Sequence, residues 1–137
     1  MTERAPANEQ SLTGVWHGLY TYPHGCGSVS FVATLIETET WLTGSTHEPR
    51  VGGDQPGGML YATLLGSRNG SAVTFVKTYD AAAGANYGTV TYEGTLSGDG
   101  TEIEGRWNIP GVWSGKFLMI RSQGTAATLG HKAFERA

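Results

Sequence analysis

The stretch "AVTFVKTYD" (72–80) alternates as a half-buried strand does, and it sets Lys77 between Phe75 and Tyr79 on the bulkier face. An ammonium turned toward an apolar interior is costly unless a carboxylate, a hydroxyl or a ligand group meets it. Such a lysine could anchor an acidic or carbonyl ligand, act as a base once burial has lowered its pKa, or form a Schiff base. The structural alternative is a stem packed on Phe75 and Tyr79 with the ammonium reaching water. Glu48 is a candidate partner if its strand turns it inward; turned outward, it is an ordinary loop carboxylate. Tyr20, Tyr22, Tyr79 and Tyr92 add hydroxyls that weigh more as a cluster than singly.

Other reactive side chains form no recognisable pattern. His24, Cys26 and His47 have no zinc-site spacing, so neither a metal nor a cofactor is expected. No Ser-His-Asp set can be read from these positions. The "SGDG" and "VGGD" runs are turn chemistry, since neither lies between a strand and a helix.

Positioning Lys77 and its neighbours falls to strands. Eight short apolar-alternating runs follow a polar tail, at 13–22, 28–37, 40–47, 58–66, 71–80, 86–96, 101–109 and 112–122. No connection has a helical pattern, so parallel β-α-β units are not expected. The reading is an all-β, eight-stranded antiparallel up-and-down barrel. Short hairpin turns follow the second, fourth and sixth strands, and most of the longer glycine-rich loops follow the odd ones. Such a meander is a cup, closed at the tight-turn end. One barrel domain spans 12–122, with an N-terminal tail over 1–11 and a C-terminal tail or short helix over 123–137 packed on the barrel.

Composition agrees with that class. A chain of 137 residues holds one core, and a 15% charged fraction is too low for a disordered tail. The net charge of −3 and the lack of a basic run argue against nucleic acid or a membrane surface as partner. A single cysteine excludes an intrachain disulfide. "MTERAPANEQ" lacks the apolar core of a signal peptide and no segment is long enough to span a bilayer, so a cytoplasmic protein is expected.

The first strand opens "LTGVW" and the eighth ends in Arg121. This pair resembles the calycin barrels, the lipocalins and avidins. The resemblance implies that Trp16 plugs the closed end and that Arg121 packs across it. "SLTGVW" and "WLTGST" also look like the first and third avidin strands. The avidin biotin pattern does not carry over, because Gly18 stands where it needs Asn and Thr46 where it needs Tyr. The chain is also similar to small bacterial proteins with an F-x-K-x-Y strand and a "G-R-W…G-x-F-x-M-x-R" ending, a likeness that supplies no activity.

With Trp16 inward, alternation points Gly14, Gly18, Tyr20, Tyr22, Phe75, Lys77, Tyr79, Val90, Tyr92, Gly94, Ile103, Gly105, Trp107, Trp113, Gly115, Phe117, Met119 and Arg121 into the barrel, and the avidin-like register that the resemblance implies for the third strand adds Leu42, Gly44, Thr46 and Glu48. The second and fourth strands are apolar on both faces and stay unassigned. An apolar floor below a polar, aromatic upper wall is a ligand-cavity pattern, with the inward glycines leaving room for a ligand or easing curvature. Ligand contacts are expected from Tyr20, Tyr22, Glu48, Phe75, Lys77, Tyr79, Tyr92, Trp107, Phe117 and Met119. Outside, Leu118, Ile120, Val15, Leu19, Val32 and Ile36 form an apolar patch on strands 8-1-2 that the C-terminal tail or a second subunit, as in a homodimer, covers. Three functions stay open: a binder of an apolar or aromatic small molecule, a lipocalin-like cyclase or isomerase using acid–base chemistry, and a protein-interaction module using the 8-1-2 face.

Overall fold

The structure, a computed structural model, describes residues 11–25, 27–49, 58–80 and 88–121. Eight antiparallel strands follow one another around a closed barrel: β1 (Gly14–Thr21), β2 (Ser28–Thr38), β3 (Trp41–Pro49), β4 (Met59–Asn69), β5 (Ala72–Tyr79), β6 (Thr89–Leu96), β7 (Glu102–Ile109) and β8 (Trp113–Arg121). Each pairs with the next in sequence, and β8 returns to β1, so no sheet edge is left open. The strands form where the sequence alternates. Turns fall at Gly, as at Gly70 between β4 and β5, whose φ of 62° favours glycine, while the β2–β3 turn is Glu39–Thr40, with Glu39 itself at a φ of 59°. Both tails and the loops at 50–57 and 81–87 lie outside the described residues, and with them the expected packing of the C-terminal segment.

The closed end is built as the G-x-W and Arg121 suggested. The Trp16 ring is fully buried, and its Nε1 donates to the Leu12 carbonyl at 2.9 Å. The Arg121 guanidinium lies 4.7 Å from the Trp16 ring centroid and also donates to the Gly100 and Ser11 carbonyls. Leu12, Leu35, Leu42, Val73, Ile103 and Met119 fill the floor around them.

The inward glycines serve the barrel's own side chains and curvature. A Cβ on Gly18 would meet the tip of the Phe31 ring at 2.2 Å, and one on Gly94 would meet the rings and methyls of Phe117 and Ile103. At Gly44, Gly66 and Gly105 a Cβ would strike the neighbouring strand's backbone, at 2.1, 2.0 and 1.9 Å. Those three glycines allow the close strand approach that a small barrel needs.

The outer apolar patch expected on strands 8-1-2 divides. Leu118 and Ile120 are buried and Leu19 is partly so, whereas Val15 and Ile36 are more than half exposed.

Candidate functional site

The upper half of the barrel interior gathers its polar groups around Lys77. Strand β5 turns this side chain inward between Phe75 and Tyr79, and β3 turns Glu48 inward from two strands away, across β4. The two meet at 2.6 Å, with the lysine 1% and the glutamate 2% exposed. Glu48 is therefore an interior group, not a loop carboxylate. The Tyr79 hydroxyl donates to the same oxygen, Oε1, at 2.8 Å, and the Tyr20 hydroxyl donates to Oε2 at 2.5 Å. Lys77 Nζ also donates to the Tyr92 hydroxyl at 3.4 Å. One carboxylate thus accepts from an ammonium and two phenols, which is how a buried charge avoids a large desolvation penalty.

Aromatic rings enclose the ammonium. Its nitrogen lies 4.7 Å from the Tyr79 ring centroid, 5.0 Å from Tyr20, 5.4 Å from Phe31 and 5.7 Å from Tyr92. These distances fall within cation–π range. Burial lowers the Lys77 pKa, and Glu48 opposes that shift. Burial also pushes the Tyr20, Tyr79 and Tyr92 hydroxyls well above the usual phenol range, and the Glu48 charge adds to the effect. All three phenols therefore keep their protons well into the alkaline range in the folded protein. The water-exposed placement of Lys77 does not occur.

Above and beside this cluster the rings continue toward the loop-rich mouth. Tyr22 stands edge-on to Tyr20 and to Trp107, at 5.6 and 5.8 Å, and Trp113 lies 4.9 Å from Tyr22. Trp113 is at the rim and 41% exposed, so it is a gatepost of the mouth and not an interior residue. Trp107 Nε1 is anchored to the Thr21 carbonyl at 2.9 Å, and Gly115 leaves the space that its indole occupies. Below the cluster, Phe75 stacks on Tyr92 at 4.9 Å and Phe117 meets Tyr92 edge-on at 5.0 Å. Met119 lies in the floor, with no exposure. Every residue expected to face the interior as a ligand contact does so, but they occupy three levels: a floor, a polar middle and an aromatic mouth.

Two inward groups escaped the sequence reading. Phe31 is a wall of the ammonium's enclosure, and Arg68 pairs with Glu37 at 3.1 Å near the closed end, where Glu37 also accepts from the Leu12 amide. Both belong to the strands that are apolar on both faces. The available signal was the polar series Ser28, Ser30, Thr34 and Thr38, which marks the outer face of β2. His24 and His47 are both exposed, and Cys26 lies outside the described residues.

Among the described residues, one interior polar atom has no partner. The Thr46 hydroxyl, one inward step below Glu48 on β3, is buried without a hydrogen bond. Separately, a groove of about 830 Å³ runs over the outside of β7, β8 and β1. Leu19, Leu118, Arg106, Lys116 and the Pro23–Gly25 turn line it, and it reaches none of the Lys77 cluster's polar atoms.

Fold and site together define a small closed β-barrel with interior aromatic clusters around a buried ion pair. That class is compatible with a calycin-like fold and with ligand binding. The chain matches no family model, no curated protein and no solved structure.

Proposed function

We propose that this protein binds a small, mostly apolar or aromatic molecule in the upper half of the barrel. Its neutral polar group, a carbonyl or hydroxyl, meets the Lys77–Glu48–tyrosine cluster. The observation that carries this reading is the cluster itself, a paired charge set beneath an aromatic mouth and beside a Thr46 hydroxyl that has no partner. Glu48 already neutralises Lys77, so a carbonyl accepting from Lys77 or Tyr92 suits the site better than a carboxylate, which would bring a second negative charge next to Glu48. Tyr22, Trp107 and Trp113 supply apolar area at the entrance, where most of the affinity arises.

The test is native mass spectrometry of the freshly purified protein, followed by titration with a polarity-sensitive aminonaphthyl ketone. A co-purifying small molecule, or saturable binding with a blue-shifted emission, is expected. Lys77→Met weakens ketone binding about tenfold, the loss of one charge-assisted hydrogen bond. A clean apo mass together with no saturable ketone binding overturns the proposal.

The lowered Lys77 pKa, in direct contact with a carboxylate, favours a second reading as an acid–base catalyst on the same ligand class. With a substrate in hand, Lys77→Met would then abolish turnover while leaving most of the binding.

A further inference from the structure

Strands β2 to β5 distribute charge in the reverse of the usual way. Their charged residues are Glu37, Glu48, Arg68 and Lys77, and all of them point into the barrel as the two ion pairs described above. No outward position on these strands is Asp, Glu, Lys or Arg. The cross-strand register places Ile36, Thr43, Leu65 and Val76 in one outer row. Trp41 flanks it toward the closed end, and a hydroxyl row of Thr34, Ser45, Thr63, Thr78 and Thr89 borders it toward the mouth. Trp41 and Leu65 are each 60% exposed and Ile36 52%. The opposite wall is ordinary: β6 to β8 carry Glu93, Glu102, Glu104, Arg106 and Lys116 outward. Formal charge begins at the borders of the bare face, with Glu93 on β6 and with Glu39 and Asp80 at the strand ends.

We propose that this charge-free outer face of β2–β5 is the contact surface for a second copy of this chain, packed sheet against sheet about a twofold axis. A twofold contact sets side chains near the axis against their own copies and pairs the others reciprocally, so a face with no outward charge meets neither like-charge repulsion nor a charge left without a partner. Exposed aliphatic and Trp side chains ringed by hydroxyls match an interface core with a polar rim. Among the described strands, only β1, which adjoins this face, shares its lack of outward formal charge; no charge on the face needs a partner across the contact, so its best complement is itself. A lipid surface fits poorly, because the face has no Lys or Arg for anionic headgroups. Four strands at about 4.8 Å spacing and roughly 27 Å of strand length give a face of roughly 500 Å². Two copies bury on the order of 1,000 Å², which supports a dimer of micromolar rather than nanomolar strength.

Sedimentation velocity of the full chain at about 50 μM, above the micromolar range expected for this area, decides the matter. The wild type is expected to sediment as a dimer. Leu65→Lys should sediment as a monomer, its dissociation constant raised on the order of a thousandfold because a twofold contact carries the substitution twice, with its strand circular-dichroism signal retained because Leu65 is exposed. Ile36→Lys is a second variant should the first fail to fold, and Arg106→Glu on the opposite wall should remain dimeric. A monomeric wild type overturns the proposal, including one whose β2–β5 face captures vesicles or another protein instead. So does a dimer that survives both lysine substitutions, or one lost only on Leu19→Lys, which would put the contact on the β8–β1 face.

Discussion

At the scale of single residues, the Lys77–Glu48 pair dominates the energetics of the interior. Removing one member leaves the other charge buried and uncompensated. Glu48→Gln or Lys77→Met alone should therefore cost about 3–5 kcal/mol in urea unfolding. The double variant should recover a large part of that loss, because an apolar methionine beside a neutral amide strands no ion. Additive losses in the cycle would show that the pair is not coupled as the 2.6 Å contact requires. The lysine was legible in the sequence because strict alternation around Phe75 and Tyr79 forced it inward. Its partner was less so: Glu48 lies near the end of its strand, where a single bulge would have reversed its direction. Glu37 and Arg68 were not legible at all. On β2 and β4 both faces carry aliphatic side chains, and alternation then gives no preferred side.

At the scale of the elements, strand count, order and cup shape followed from alternation and from turn residues whose backbone preferences are strong. What alternation could not show is how closely the strands approach. Gly105 and Gly66 resolve this, since neither position has room for a methyl group against the neighbouring strand's carbonyl. Gly105→Ala should destabilise the barrel by about 1–3 kcal/mol through forced backbone displacement, whereas Gly98→Ala, in a turn with open space around it, should fall within about 0.5 kcal/mol of wild type. Thermal melts of the two variants side by side make the comparison. An equal, small effect at both sites would mean that the strand approach at Gly105 is not needed for closure. The glycines read from sequence as room for a ligand divide the same way: Gly18 gives its space to Phe31, and Gly115 faces the Thr21 carbonyl first and the Trp107 indole next. The ligand volume proposed above therefore lies above them, among the rings of the mouth.

At the scale of the whole molecule, buried phenols link stability to pH. Tyr20, Tyr79 and Tyr92 ionise near pH 10 in the unfolded chain and only above that in the fold. Below pH 10 their contribution is complete. As pH rises past 10, the folded protein holds protons that the unfolded chain has lost, and stability falls with a slope of up to three protons. Lys77 acts with the opposite sign. Its pKa is lowered in the fold from 10.5, so the unfolded chain binds more protons in the interval below 10.5 and stability rises with pH there. Unfolding free energy measured across the alkaline range should thus climb and then break downward, with phenolate absorbance from the buried tyrosines appearing only as the chain unfolds. In Lys77→Met/Glu48→Gln the climb should flatten while the break above pH 10 remains. Phenolate absorbance from all tyrosines at an ordinary pH in the intact fold would contradict the buried placement.

Both interior ion pairs skip a strand, Glu37 reaching from β2 to Arg68 on β4 and Glu48 from β3 to Lys77 on β5. Each is therefore a chord drawn across the concave side of the sheet, and each fixes how tightly those strands curl. The chords also act as a key. Sliding any one of these strands by a single residue would turn its charge out onto the bare face and strand its partner in the interior. Apolar patterning alone opposes such a slip less on β2 and β4 than on an ordinary strand, since Val32 and Ile36 on one and Met59, Tyr61 and Leu65 on the other already face outward. The two salt links add the strongest penalty against a wrong alignment of this half-barrel.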